Sequence, residues 1–197
     1  MKPKNTLKKI QHLRKAPNFT SIAAKKLGVS AASLAYYVKI GELERIARGV
    51  YKDPHAPSMI NFQWEDLITA VQQTKNGVVC LISALALYEL TDEIPRQHWI
   101  AIPNTTRHRA PKTVRVIRMR NMDLGKTTIK IDNISIPIFD RERTIVDAFR
   151  YLSKEIAIKA LKEVLKSKKE KINIEKIMRY SKELRFNIST YLTAITT

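Results

Sequence analysis

Four carboxylates, Asp132, Asp140, Glu142 and Asp147, fall within one strand–helix segment of this chain. Converging carboxylates are what a two-metal nuclease uses to hold its ions. Such a site usually adds a nearby lysine, and no Glu-x-Lys follows this strand; Glu142 is followed by Arg143 and Thr144. Helix caps and ion pairs account for the four groups more simply. His12, His55, His98 and His108 are widely spaced and have no companion cysteines, so no zinc site is expected. Walker, dinucleotide and Gly-x-Ser-x-Gly patterns are missing from a sequence with only five glycines. The chain is read as a non-enzyme with no catalytic residue, metal or cofactor.

A second set of residues suits anion binding. Lys25, Lys26, Ser30, Ser33, Tyr36, Lys39, Arg45, Arg48 and Lys52 fall within one stretch of about thirty residues, SIAAKKLGVSAASLAYYVKIGELERIARGVY and the lysine after it. The elements that would position them follow from local pattern. Ile22, Ala23 and Leu27 recur at helical spacing, with Ser21 as a cap, and Gly28 ends that short helix. Val29 plugs the gap. Ser30 caps a second helix running to about Ile40, with Leu34, Tyr37 and Val38 inward and Ser33, Tyr36 and Lys39 outward. Gly41 stops it. Leu43, Arg45 and Ile46, then Val50 and Tyr51, straddle Arg48-Gly49 as a hairpin. The unit reads as a winged helix-turn-helix, whose second helix contacts base edges while basic groups hold phosphates.

Charge agrees with that reading. The 197 residues carry 36 basic and 18 acidic side chains, net +18. Residues 1–55 hold twelve basic and three acidic groups. An excess of this size implies a polyanionic partner. The plainer alternative, a lysine-rich soluble surface, explains the C-terminal excess more readily than the N-terminal one. Cys80 stands alone in an apolar run and is expected buried, consistent with a reducing cytosol. The charged N-terminus has no apolar signal region, and the longest apolar run is too short to span a bilayer. A cytoplasmic location with no membrane partner is expected.

The fold class expected is α+β. An N-terminal helix from about Thr6 to Lys15 completes the helix-turn-helix core. Residues 1–55 form the winged domain, a linker with Pro54 and Pro57 follows, and residues 56–197 form a mixed α+β domain. In the latter, helices are expected at about Trp64–Gln73 and from Gly77 or Val78 to Leu90. Strands are expected at His98–Ile102, Val114–Met119, Thr127–Ile131 and Ile134–Phe139, the last two joined at Asp132-Asn133. They make a short antiparallel sheet. Helices then follow at Arg141–Leu152, Glu155–Leu165, Ile174–Leu184 and Ile188–Ile195.

The runs LISALALYELTDEIP, HWIAIP and IPIFDRERTIVDAFRY, in that order behind a winged helix, resemble the AbiEi antitoxins of bacterial abortive-infection systems. The resemblance runs from about Thr20 to Leu165. Its most specific element is Glu142-Arg143-Thr144 followed by Asp147-Ala148, the family's ERT-x-x-DA pattern. The resemblance implies a regulator that binds repeats in its own promoter and represses it. It also implies an antitoxin against a nucleotidyltransferase-like AbiEii toxin in a type IV, phage-defence system, without a stable complex. Alternatives are a protein–protein antitoxin module and an orphan regulator with no toxin.

The pattern has chemistry of its own. Arg143 and Asp147 are spaced for an ion pair along a helix. Thr144 and Asp147 have capping-box spacing, and Asp140 can cap the helix start. The segment is read as a device that fastens helix to sheet. Arg107 and Arg109 in a loop, with Arg118 and Arg120 on the next strand, form a possible second basic surface, for DNA beyond the recognition helix or for RNA. A solvated strand face competes with that reading. The lysines at 162, 166, 168, 169 and 171 suit a helix C-terminus and need no ligand.

Overall fold

The computed structural model describes residues 4–56, 62–107, 110–131, 134–167 and 171–196. Arg109, His108, Pro57, Asp132, Lys168 and Lys169 lie outside them. The chain divides into two compact units: Met1–Lys75 with Lys130–Ser135, and Asn76–Ile129 with Ile136–Thr197.

In the first unit, α1 (Lys4–Lys9) and α2 (Gln11–Arg14) replace the single helix expected from Thr6 to Lys15. The break falls at Ile10, which leaves helical geometry (φ −108°, ψ 15°) and is fully buried. β1 (Phe19–Thr20), α3 (Ser21–Lys26), α4 (Ala31–Lys39), β2 (Glu44–Ala47) and β3 (Val50–Lys52) follow. The strands form a sheet in the order β1-β3-β2, all antiparallel. The β2–β3 hairpin stands where the sequence reading puts the wing, with a register shift between Arg45 and Ala47. Strand β1 is too short to announce itself in sequence, yet it pairs Phe19 with Tyr51, whose rings stack at 6.0 Å. Ile10, Phe19, Ala24, Val29, Leu34, Tyr37, Leu43 and Tyr51 form the core. Arg14 fastens α2 to the hairpin, with Nε 2.6 Å from Asp53 and Nη2 3.3 Å from Glu42. Burial raises the Asp53 carboxyl, but Arg14 and the His55 N–H outweigh it and hold the group below its ordinary value. Helix α5 (Phe62–Gln73) also belongs to this unit, where Asn18 Nδ2 donates to Thr69 Oγ1 at 3.4 Å.

The second unit is α+β, and its sheet is mixed. Among the described residues the strands are β4 (Val78–Val79), β5 (His98–Pro103), β6 (Val114–Met119), β7 (Lys126–Ile131) and β8 (Ile134–Phe139), in the order β6-β5-β4-β8-β7. The short antiparallel sheet expected from sequence is corrected here. β5 pairs with β6 in parallel, as β4 does with β8, and only β4–β5 among the registered pairs is antiparallel. Alternation along a strand is the same in either sense, so direction is invisible in sequence. Val78 and Val79 belong to a strand rather than to the helix expected over 77–90; that helix, α6, spans Leu81–Leu87. Helices α7 (Arg141–Tyr151), α8 (Lys154–Lys166), α9 (Ile174–Glu183) and α10 (Ser189–Thr196) complete the unit.

Helix α7 is the hub. Eight consecutive residues, Glu142 to Phe149, are buried, and it packs against α6, α8 and α9. Asp140 caps it by accepting from the Arg143 N–H at 2.8 Å; Thr144 Oγ1 instead donates to the Phe139 carbonyl, so the Thr144–Asp147 capping box is not formed. Arg143, 1% exposed, pairs with Asp147 at 2.7 Å and donates from Nη1 to the carbonyls of Asn121 and Leu124, both at 2.9 Å. Gly125 (φ +68°) lies so close that an added Cβ would sit 2.7 Å from the Arg143 Cβ. Glu142 and Asp140 both meet Lys176 Nζ at 3.1 Å, and Tyr180 donates its hydroxyl to Asp140 at 3.0 Å. Of the clustered carboxylates, Asp140, Glu142 and Asp147 are thus engaged in a cap and ion pairs, and the Arg143–Asp147 pair expected from their spacing is formed; Asp132 lies outside the described residues.

Arg143→Ala strands Asp147 in a dry site with one guanidinium partner in place of two. It is expected to cost about 3–5 kcal/mol in chemical denaturation. Gly125→Ala, which meets both a left-handed φ and a filled neighbourhood, is expected to cost about 1–3 kcal/mol. The Arg14–Asp53 contribution exists above the ordinary carboxylate value, about pH 4, and is lost as pH falls through the lowered native value. The acid-limb slope of stability against pH should therefore flatten in Arg14→Ala.

Candidate nucleic-acid interface

Helix α3 starts at Ser21 itself, so its cap lies one residue before the one expected. Thr20, in extended backbone at the end of β1, accepts from the Ala23 N–H at 3.1 Å, while the Ser21 N–H donates to the Gly49 carbonyl. That anchors α3 to the wing turn and rotates it so that Ala24 is buried and Ile22 is 69% exposed. The expected inward face of Ile22, Ala23 and Leu27 is thereby corrected: buried Ala24 and half-buried Ala23 and Leu27 replace it. Gly28 (φ +76°) supplies the left-handed turn, and Val29, 1% exposed, fills the space between α3 and α4.

Helix α4 is capped as its sequence dictates. Ser30 Oγ accepts from the Ser33 N–H at 3.1 Å and lies 2.9 Å from Ser33 Oγ. Leu34 and Tyr37 are buried and Val38 is partly so. The opposite face presents Ala31, Ala32, Ala35, Tyr36 and Lys39 to solvent, with Ser33 half-exposed at its edge. The tyrosine ring, 44% exposed, is held edge-on to Tyr37 at 5.6 Å. The three alanines escaped the sequence reading because small apolar residues carry no chemical signal of their own. Here they leave a helix face without bulk.

The basic residues around this face divide in two. Lys25 and Lys26 are exposed at the C-terminus of α3, Lys39 at the end of α4, and Arg48 in the wing turn. Arg45 is exposed on β2 and folds its Nε back to the Ala47 carbonyl at 3.4 Å. Lys52 is paired with Glu44 across the hairpin at 3.2 Å, so a phosphate would have to compete for it. In the second unit Arg107 is exposed after β5, and Arg118 and Arg120 are exposed at β6 and just beyond it. Arg115 stacks its guanidinium over Trp99 at 4.1 Å. Among the described residues, no three His, Cys, Asp or Glu side chains are grouped to hold a metal ion, and no helix is long and apolar enough to cross a membrane.

In this geometry two short helices meet through Gly28 and Val29, a hairpin follows them, and the second helix is left open with basic residues around it. Residues 14–51 match the family model of the transcriptional regulator, AbiEi antitoxin. The AbiEi likeness therefore falls on the helix pair and the hairpin. The match begins at Arg14, which ties α2 to the hairpin, and ends at Tyr51 on the last wing strand. The AbiEi resemblance of the sequence beyond Tyr51 is not covered by that model. No curated protein matches the chain. Among solved structures, the crystal structure of RV2827C protein from Mycobacterium tuberculosis matches with a TM-score of 0.55 at 15% identity, over 88% of this chain and 69% of that one. At that identity the likeness is one of fold.

Ser30→Ala removes the α4 cap and is expected to lower stability by about 1 kcal/mol. Ser33→Ala leaves the backbone cap in place and should change melting temperature little. Comparing their thermal melts shows which of the two serines the fold depends on.

Proposed function

We propose that this chain is a sequence-specific DNA-binding transcriptional repressor of its own promoter and the antitoxin of an AbiE-type abortive-infection system. The observation that carries the reading is the exposed face of α4. Its small residues, Ala31, Ala32 and Ala35, sit beside Ser33, Tyr36 and Lys39 and are flanked by Lys25, Lys26 and Arg48. A helix with its N-terminal half stripped of bulk fits a major groove, and the flanking cations fit the phosphates on either side. Ser33 and Tyr36 are assigned to base edges. Lys25, Lys26, Arg45 and Arg48 are assigned to phosphates, and Lys52 joins them when it leaves Glu44. Ser30 acts by starting the helix at the right place. Repression follows by occlusion of the promoter. The mechanism uses no catalytic residue, metal or cofactor, and it operates in the cytoplasm.

The antitoxin half of the proposal rests on the likeness of residues 14–51 to AbiEi regulators and on the ERT-x-x-DA pattern. The partner is an AbiEii-like nucleotidyltransferase toxin encoded elsewhere, counteracted without a stable complex. Buried Arg143 and Asp147 hold the second unit together in this scheme and do not touch the partner. Co-expression that relieves toxin-induced growth arrest, with no toxin retained on the purified chain, is the result expected.

A gel-shift titration against DNA from upstream of the chain's own gene, beside scrambled DNA of equal length, tests the repressor. A discrete complex on the upstream DNA alone is expected. Affinity should fall with salt at a log–log slope of about −0.9 per neutralised phosphate. Arg48→Ala should weaken all sequences alike and reduce that slope by about 1, whereas Tyr36→Ala or Ser33→Ala should cost about 1–3 kcal/mol of discrimination between sequences. Equal affinity for both DNAs would overturn the repressor assignment.

A further inference from the structure

The second unit contains a concave site independent of the winged helix. A cavity of about 590 Å³ opens beside β6, α7 and the end of α9. Arg118, Arg120, Arg150 and Arg185 line it together with Asn121 and Tyr151, and Glu183 is the one acidic side chain on its wall. Buried Arg143 closes its base. The volume is within the range of small-molecule sites, roughly 300–1,000 Å³.

The charge in this cavity is only partly compensated. Among the described residues, the side chains of Arg118, Arg120 and Arg185 make no ion pair or hydrogen bond. Arg143 and Arg150 share Asp147, which is itself 1% exposed and turned away from solvent between them. Four guanidiniums facing one cavity repel one another, and a polyanion between them would remove that cost. Their planar forks match phosphate oxygens. Arg185 is held in place by its backbone. It has φ +53°, in the left-handed position that follows α9, where glycine or asparagine is usual. The Phe186 N–H closes that turn onto the Ser181 carbonyl at 2.9 Å.

The cavity is larger than one phosphate needs, and its remaining wall is not basic. The Tyr151 ring is 43% exposed, with the Arg150 guanidinium 5.0 Å from its centroid. A half-exposed ring offers a stacking face for a planar group. Asn121 adds an amide within the same cavity. We propose that this cavity binds a nucleoside di- or triphosphate, with Arg118, Arg120 and Arg185 taking the phosphate oxygens and Tyr151 stacking on the base. Arg118 and Arg120, expected in a possible second basic surface with Arg107 and Arg109, are then pocket residues.

The test is calorimetric titration of the full chain with ATP and GTP, beside AMP, sodium sulfate and a single-stranded oligonucleotide. Saturable binding of a triphosphate, tighter than that of AMP or sulfate, is expected. Arg118→Ala and Arg185→Ala should each weaken it about tenfold, and Arg48→Ala in the wing should leave it unchanged. Both cavity substitutions remove exposed, unpaired side chains, so melting temperatures should hold. If Arg185→Ala melts early, Arg120→Ala is read in its place. No saturable binding of either triphosphate overturns the proposal, as does binding indifferent to the cavity variants. Equal affinity for sulfate, or displacement of the triphosphate by the oligonucleotide at lower concentration, would also overturn it.

Discussion

The buried guanidinium of Arg143 is the constraint on which the second unit depends. A charge that leaves water must be repaid by partners in fixed places. Arg143 takes one carboxylate from its own helix and two carbonyls from the loop after β6, and its guanidinium lies over the Phe139 ring at 4.5 Å. These partners come from the strand before α7, the loop before β7 and α7 itself. Satisfying the one charge therefore fixes the helix against the sheet. Gly125 is part of the same constraint, because the loop must pass closer to Arg143 than any side chain permits. Burial holds the Asp147 carboxyl above its ordinary value, and the Arg143 and Arg150 charges offset only part of that rise.

The same device is repeated around the start of α7. Asp140 is at once a helix cap, a partner of Lys176 and an acceptor for Tyr180. Glu142 accepts from the Asn173 N–H as well as from Lys176, which joins the start of α9 to α7. Burial lowers the Lys176 ammonium, and these two carboxylates outweigh it and hold it charged. These paired polar groups thus set the register in which the apolar faces of α7, α8 and α9 meet.

The first unit reaches order by a different route. Its core is small, and its strands are two to four residues long. Much of its definition comes from caps and tight turns: Thr20 and Ser30 at helix starts, and left-handed Gly28, Gly41 and Gly49 between elements. Gly49 also lets the wing turn sit against Ser21, whose Oγ would be 3.2 Å from an added Cβ. The wing and α3 are consequently one object.

Much of this was legible in the sequence because it is local. The Gly28-Val29-Ser30 turn, the α4 cap, the inward Leu34 and Tyr37, the hairpin at Arg48-Gly49 and the Arg143–Asp147 spacing all depend on residues within four positions of one another. Interactions of that range are written directly in residue order. What the tertiary structure decided is non-local. The break at Ile10 follows from core packing, and the burial of Ala24 in place of Ile22 follows from the Ser21–Gly49 contact. Strand direction in the mixed sheet is set by partners, since alternation is blind to it. The convergence of Arg118, Arg120, Arg150 and Arg185 joins residues up to 67 positions apart. No spacing rule reaches that far; only the folded chain brings such charges to one cavity.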